Sequence, residues 1–244
     1  PSYSIPAAGL ADEGEYTLVV SNDAGSVTSQ VARLSLLEAI PSFHNTGIGA
    51  TGAPQAAGEI SPFWTFEANP DGESTDVIVA NEGWPIQADT WMVNNDTSKW
   101  VGPRASVGDA DIAAGNYKYR TTFNLSGRDV ETVLIVGRWA SDNNGVGVYL
   151  NGTRVNVPLS AAFTAWTVFT LSSETATFLP EINTLDFEVN NADLGPSGVR
   201  VEFTQTSART LPGVPAAVEV DPQGGKVAEG DTVVLYTDGI TEAN

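Results

Sequence analysis

The chain has 244 residues, 41% of them hydrophobic, which is room for one or two packed domains. It holds no cysteine, so disulfide frameworks and thiolate metal sites are excluded, and its single histidine excludes His-rich zinc sites. Eleven Lys and Arg against thirty Asp and Glu leave a formal charge of -19, a field that repels nucleic acid and anionic lipid and favours solubility and cation binding. The acids are scattered, as on a solvated surface, and no apolar run approaches the roughly 18 residues of a membrane span. Abundant Gly, Thr, Ser, Asn and Val with few Lys is typical of extracellular or cell-surface all-β modules. With Pro1 first, one methionine (Met92) and no leader, any export signal is expected upstream, in a longer parent protein.

Residues 12–39 open with DEGEYTLVVSNDAG. Leu18 and Val20 alternate with Thr17 and Ser21 as in a strand with one face on a core, Asn22-Asp23-Ala24-Gly25 supplies a turn, and SVTSQVARLSLL gives the returning strand. Asp12, Gly14 and Tyr16 fall at the spacing of a tyrosine corner, in which the Tyr hydroxyl bonds to backbone a few residues upstream. On these residues the segment resembles the late strands of an immunoglobulin-like sandwich of the I-set type. Leu18 stands where disulfide-bonded members carry a Cys, a departure ordinary in cysteine-free bacterial copies.

From Ile40-Pro41 the texture changes to the Gly/Ala/Pro-rich PSFHNTGIGATGAPQAAGEIS, which suits a meandering lead-in. Eight strand candidates then alternate with turn clusters: WTFEA, TDVIVA, YKYRTTFNL, TVLIVGRWA, GVGVYLNG, WTVFTL, TLDFEV and GVRVEFTQT. Tyr117, Tyr119, Thr121 and Phe123 share one face, as do Val199, Val201 and Phe203, so two facing sheets are expected, with Phe123, Ile135, Tyr149, Phe187 and Val201 in their core. TVLIVGRWA is apolar almost throughout, as in a central strand covered on both sides. Asn151-Gly152 is the strongest hairpin turn, since both residues tolerate positive φ. SKWVGP, GNYKYRTTFNLSG, GRWASDNNGVGVYLNG and NTLDFEVNNA together resemble a jelly-roll module of very large secreted bacterial proteins, related in shape to galactose-binding-like sandwiches and commonly alternating with immunoglobulin-like repeats.

Residues 211–244 begin with the Pro-punctuated LPGVPAAVEVDP, and GGKVAEGDTVVLYT then resembles the first two strands of an immunoglobulin-like domain. Residues 226–237 and 14–36 are therefore expected in one sandwich, within a chain or between copies. GDTVVLYTDGITEA also resembles a metal-ligand segment of PP2C-like phosphatases at Asp238-Gly239. The further carboxylates and helices that a two-metal site needs do not precede it, and no enzymatic activity is expected.

Few residues invite site chemistry. His44 has no strand-Ser-helix elbow to serve, so it reads as a loop or interface histidine. Of six tryptophans, Trp100, Trp139 and Trp166 are expected in the core, whereas Trp84 and Trp91, in NEGWPIQADTWMV, are expected exposed, as contacts for a ligand or a second subunit. Asp142-Asn143-Asn144 and the Asn190, Asn191 and Asp193 cluster are oxygen-rich strand ends; calcium is the one cofactor they would take, and turn formation is their competing role. The expected fold is all-β: a jelly-roll β-sandwich over 40–210, between immunoglobulin-like pieces at 1–39 and 211–244. The expected function is structural, as a repeat unit of a long extracellular protein or filament, associating head to tail with identical subunits or adjacent repeats. The alternative is a carbohydrate-binding module whose partners are glycans.

Overall fold

The computed structural model describes Ile5, residues 10–34 and residues 36–211. The chain is all-β. A short 3-10 helix, Leu10–Asp12, precedes four strands, β1 (Gly14–Tyr16), β2 (Val19–Asn22), β3 (Gly25–Thr28) and β4 (Ala32–Leu34). They fold as one interrupted antiparallel hairpin, β1 on β4 and β2 on β3. Then follow β5 (Glu38–Ala39), β6 (Ile60–Ala68), β7 (Asp76–Val79), β8 (Val101–Gly102), β9 (Gly115–Asn124), β10 (Arg128–Asp142), β11 (Asn144–Leu150), β12 (Thr153–Arg154), β13 (Thr167–Ser172), β14 (Ile182–Asn191) and β15 (Gly198–Thr210). All eight strand candidates lie in or overlap these strands. Among the described residues no helix is long and apolar enough to cross a membrane.

Strands β5 to β15 form one curled antiparallel sheet in the order β12-β11-β14-β9-β6-β7-β8-β15-β10-β13, with β5 also on β15. Its two halves face each other. Trp139 of β10 and Phe169 of β13 meet Phe187 of β14 at ring-centroid distances of 5.3 and 5.5 Å, and Phe203 of β15 stacks on Trp64 of β6. The alternation written into YKYRTTFNL accounts for this: Tyr117, Tyr119, Thr121 and Phe123 point inward and are buried, and Leu185, Phe187 and Val189 do the same from β14. Fully burying one such apolar side chain contributes about 1.5–3 kcal/mol.

Four of the five expected core residues, Phe123, Ile135, Phe187 and Val201, are buried. Tyr149 is the exception. GVGVYLNG carries two apolar phases, and a register shift between Gly145 and Gly147 accompanies the one that turns Val148 and Leu150 inward. Tyr149 therefore lies on the outer face, where its hydroxyl donates to Glu188 Oε2 at 2.6 Å and Lys118 Nζ sits 4.3 Å from its ring centroid. The Asn151-Gly152 turn has φ 51° and 77°, and it joins β11 to β12 as expected.

β10 is central, between β13 and β15, but Leu134 and Val136 on its outer side are only half-buried. Cover on both sides begins at Trp139. There a second apolar cluster of Ala80, Ile86, Trp91, Trp100, Val107 and Ala140 lies outside the sheet, with Met92, Phe163 and Trp166 packed against it. The lead-in is stitched to β15: Thr46 N donates to Val201 O at 3.1 Å, and Thr46 Oγ1 accepts from Val201 N at 3.0 Å.

Candidate interaction site

The hairpin of β1 to β4 is built by local bonds. Tyr16 donates its hydroxyl proton to Asp12 O at 2.5 Å, the contact expected from the tyrosine-corner spacing. Asn22 Oδ1 accepts from Ala24 N at 2.8 Å and shapes the tip, and Leu18 and Ser29 exchange two bonds, Ser29 N to Leu18 O and Leu18 N to Ser29 Oγ.

Among the described residues nothing covers its amphipathic pattern. Tyr16, Leu18 and Val20 alternate along one side, and Val20 pairs directly with Val27. These residues are 36%, 52%, 59% and 74% exposed, and Val31 is 58% exposed. No third strand flanks the hairpin among the described residues. An isolated two-stranded hairpin is marginally stable in water.

The hairpin joins the sandwich at one end of β15. Glu38 pairs with Ala208 and Ala39 with Ser207, antiparallel, so the chain arrives before Glu38 and continues after Ala208 at the same end of the pair. The junction is tied by charge-assisted bonds. Glu38 Oε2 accepts from Thr210 Oγ1 at 2.5 Å and from Arg128 Nη1 at 2.9 Å, and the Thr210 hydroxyl, aided by Arg128, holds the Glu38 carboxyl below its ordinary pKa. Leu36 N donates to Glu13 Oε1 at 2.7 Å, and Leu211 N to Gly127 O at 2.8 Å.

Of the two tryptophans expected as surface contacts, Trp84 is 63% exposed. Trp91 is not: only 2% of it is accessible, so its assignment as an exposed contact is corrected. Its ring packs on Trp100 with centroids 4.4 Å apart and covers Gly198, where an added Cβ would lie 3.2 Å from the indole. Its indole N–H donates to Asp142 Oδ2 at 3.0 Å. Burial pushes the Asp142 carboxyl up to about 6, against the lowering effect of that bond, and its Oδ1 has no hydrogen-bond partner. Trp100 and Trp139 are buried as expected; Trp166 is half-buried.

The candidate calcium residues meet through backbone, with Asn144 paired to Asn190 and Asn143 N donating to Asn190 O. Their side chains are engaged separately: Asp142 with Trp91, Asn143 Oδ1 with Ala192 N at 2.9 Å, and Asn190 Nδ2 with Asn116 Oδ1 at 2.7 Å. Asn144 and Asp193 face solvent. No group of three or more His, Cys, Asp or Glu that could hold a metal ion occurs among the described residues.

His44 stacks flat on Phe63, with centroids 3.4 Å apart, and burial lowers its pKa. It borders an open groove of about 370 Å³ with Phe43, Asn45, Asp96 and Phe203. Asn45 is occupied there, donating to Thr97 O and accepting from Phe203 N. A buried charge network also lies on the outer face of β10 and β15, and no sequence pattern announced it. Glu202 accepts from Ser98 Oγ at 2.6 Å and from Arg138 Nε at 2.7 Å. Arg200 donates to Ser98 Oγ and Val93 O, and the Trp166 ring lies 4.6 and 5.0 Å from the Arg138 and Arg200 guanidinium carbons. Burial lowers Arg200 to about 10, with Glu202 acting in the opposite direction. These groups bond to one another as a structural clamp, with Arg200 Nη2 buried 3.6 Å from Glu202 Oε1 and making no hydrogen bond.

Searches of family models, curated proteins and solved structures gave no match to this chain. Asp238-Gly239 and the strands expected over 226–237 lie outside the described residues.

Proposed function

We propose that this chain is a structural unit of a long extracellular bacterial protein or filament, whose units join head to tail through immunoglobulin-like ends. The observation that carries this is the contrast between a sandwich with a continuous buried core and a hairpin whose apolar side chains, Leu18, Val19, Val20, Val27 and Val31, are exposed. Contiguous exposed apolar surface of this kind marks a contact surface. The sandwich would act as a spacer or pendant module, and the ends would act as joints. Reading the parent gene outward in both directions tests this: recurrence of the unit at a regular period supports it, and a single copy beside a catalytic domain overturns it.

A second reading, a carbohydrate-binding module, is favoured by one observation, the exposed indole of Trp84. Retention on a glycan array that is abolished by Trp84→Ala would select it over the structural role.

A further inference from the structure

We infer that the outer edge of β13 is a self-association surface, where a second copy of this chain pairs antiparallel so that Val168 of each copy faces Thr170 of the other. The curled sheet then continues from one copy into the next. This surface is separate from the hairpin, and the inference stands whether or not units join through their ends.

β13 ends the sheet on one side, paired only with β10 in an unbroken register from Thr167 to Ser172. Ser172 shows which of its backbone groups point outward. Its carbonyl accepts from Thr175 N and Ala176 N, both at 2.9 Å, and its N–H donates to Thr175 Oγ1 at 3.1 Å, so Ser172 faces away from β10. In a regular antiparallel strand the N–H and C=O of one residue point to the same side, and the side alternates along the chain, so Thr170 and Val168 also face away. Among the described residues their outward N–H and C=O groups have no hydrogen-bond partner. At the opposite end of the sheet the chain folds back over β11: Val155 N donates to Val148 O, Gly145 N to Ser160 O and Arg154 Nη2 to Val146 O. One edge of the sheet is closed by the chain itself, and the other is left open.

Charge points to the partner. Exposed edges are ordinarily guarded by Lys, Pro or a bulge, and the six residues TVFTLS have none of these. Residues 155–173 carry no charged side chain. On the outer face β10 sets Leu134, Val136 and Arg138 beside Ser172, Thr170 and Val168, so the side chains next to the edge include a cation and no carboxylate. Two chains of formal charge -19 repel each other, and a carboxylate-free edge is where they can meet at least electrostatic cost. The edge is also complementary to itself. With a two-fold axis at Phe169, Val168 and Thr170 meet Thr170 and Val168 of the second copy, and each pair exchanges both of its backbone bonds. Val168, 58% exposed in the single chain, is covered in the pair. The first acidic residue after the strand, Glu174, falls opposite Thr164 and not opposite another carboxylate.

Sedimentation of the full-length chain over a range of micromolar concentrations tests this, with Thr170→Pro and Val168→Glu as variants. Thr170→Pro removes an N–H that β10 does not use, so the sandwich keeps its ladder while the edge loses a donor. Val168→Glu leaves the backbone intact and places a carboxylate on the edge of each anionic copy. The expected result is a reversible dimer whose dissociation constant rises at least about tenfold in either variant, with the melting temperature of the dilute chain unchanged. Because the chain has no cysteine, the register is read by mixing Val168→Cys with Thr170→Cys under oxidation: disulfides between the two variants should exceed those formed by either alone. A chain that stays monomeric throughout overturns the inference. A monomer whose Val168 and Thr170 amides are nonetheless protected from exchange overturns it equally, by assigning the edge to the chain's own residues. So does a dimer that neither variant weakens, which would place the contact elsewhere and leave head-to-tail joining untouched.

Discussion

Replacing Asp142 with Asn should cost stability in mild acid and recover that loss, relative to the wild type, as pH rises to neutral. The carboxyl is 6% exposed, bonded on one oxygen by Trp91 and unpartnered on the other, so its ionised form is disfavoured. Its pKa stands at about 6 in the folded chain against an ordinary 3.8. The folded state therefore binds more protons than the unfolded state between those values, and stability falls as pH rises through that window. A difference of this size amounts to roughly 3 kcal/mol at neutral pH. Asn keeps an oxygen for the Trp91 N–H but places an amide where Oδ1 lacked a partner, a cost of about 1–3 kcal/mol at every pH. The variant should thus gain on the wild type by roughly 2.5 kcal/mol between pH 4 and pH 7.5, ending level or ahead at the upper limit. Urea unfolding followed by tryptophan fluorescence at several pH values measures the difference directly. A variant that is weaker at pH 7.5 with no pH trend would refute the reasoning, because it would mean that Asp142 is held ionised by a compensating cation.

Phe187→Ala removes the ring that meets both Trp139 and Phe169 across the core, and should lower stability by about 3–5 kcal/mol in the same urea assay. Glu202→Gln leaves buried Arg200 without its carboxylate and should cost about 3–5 kcal/mol, seen as a lower urea midpoint. Gly145→Ala would set a Cβ 2.1 Å from Trp139 Cη2, and a melting temperature lowered by an overpacking cost of about 1–3 kcal/mol is expected.

The strands were legible because each half of the sandwich repeats an inward side chain every second residue between Gly, Asn, Asp and Pro turns, and the Tyr16 bond followed from the resemblance of DEGEY to a tyrosine corner. Tyr149 was not legible, since GVGVYL offers two inward phases and the register shift that accompanies the observed one depends on pairing with β14. Trp91 sits among polar neighbours, and what buries it is distant: the lack of a side chain at Gly198 and the small Ala140 leave a recess on the outside of the sheet. The same recess hides Arg200 and Glu202, which alternation alone assigns to the solvent side of β15. Charge on an outer face becomes buried only when loops from elsewhere in the chain fold over it, and period-two patterns carry no information about such loops.

Hydrogen–deuterium exchange on the full-length chain in dilute solution tests the completed joint most directly. If the hairpin is covered in a joint, the amides of Val19–Asn22 and Gly25–Thr28 should exchange at least about a hundredfold more slowly than in an unstructured peptide, corresponding to roughly 2.7 kcal/mol of local stability. Exchange at the unstructured rate through both strands, with the sandwich strands still protected, would contradict the account.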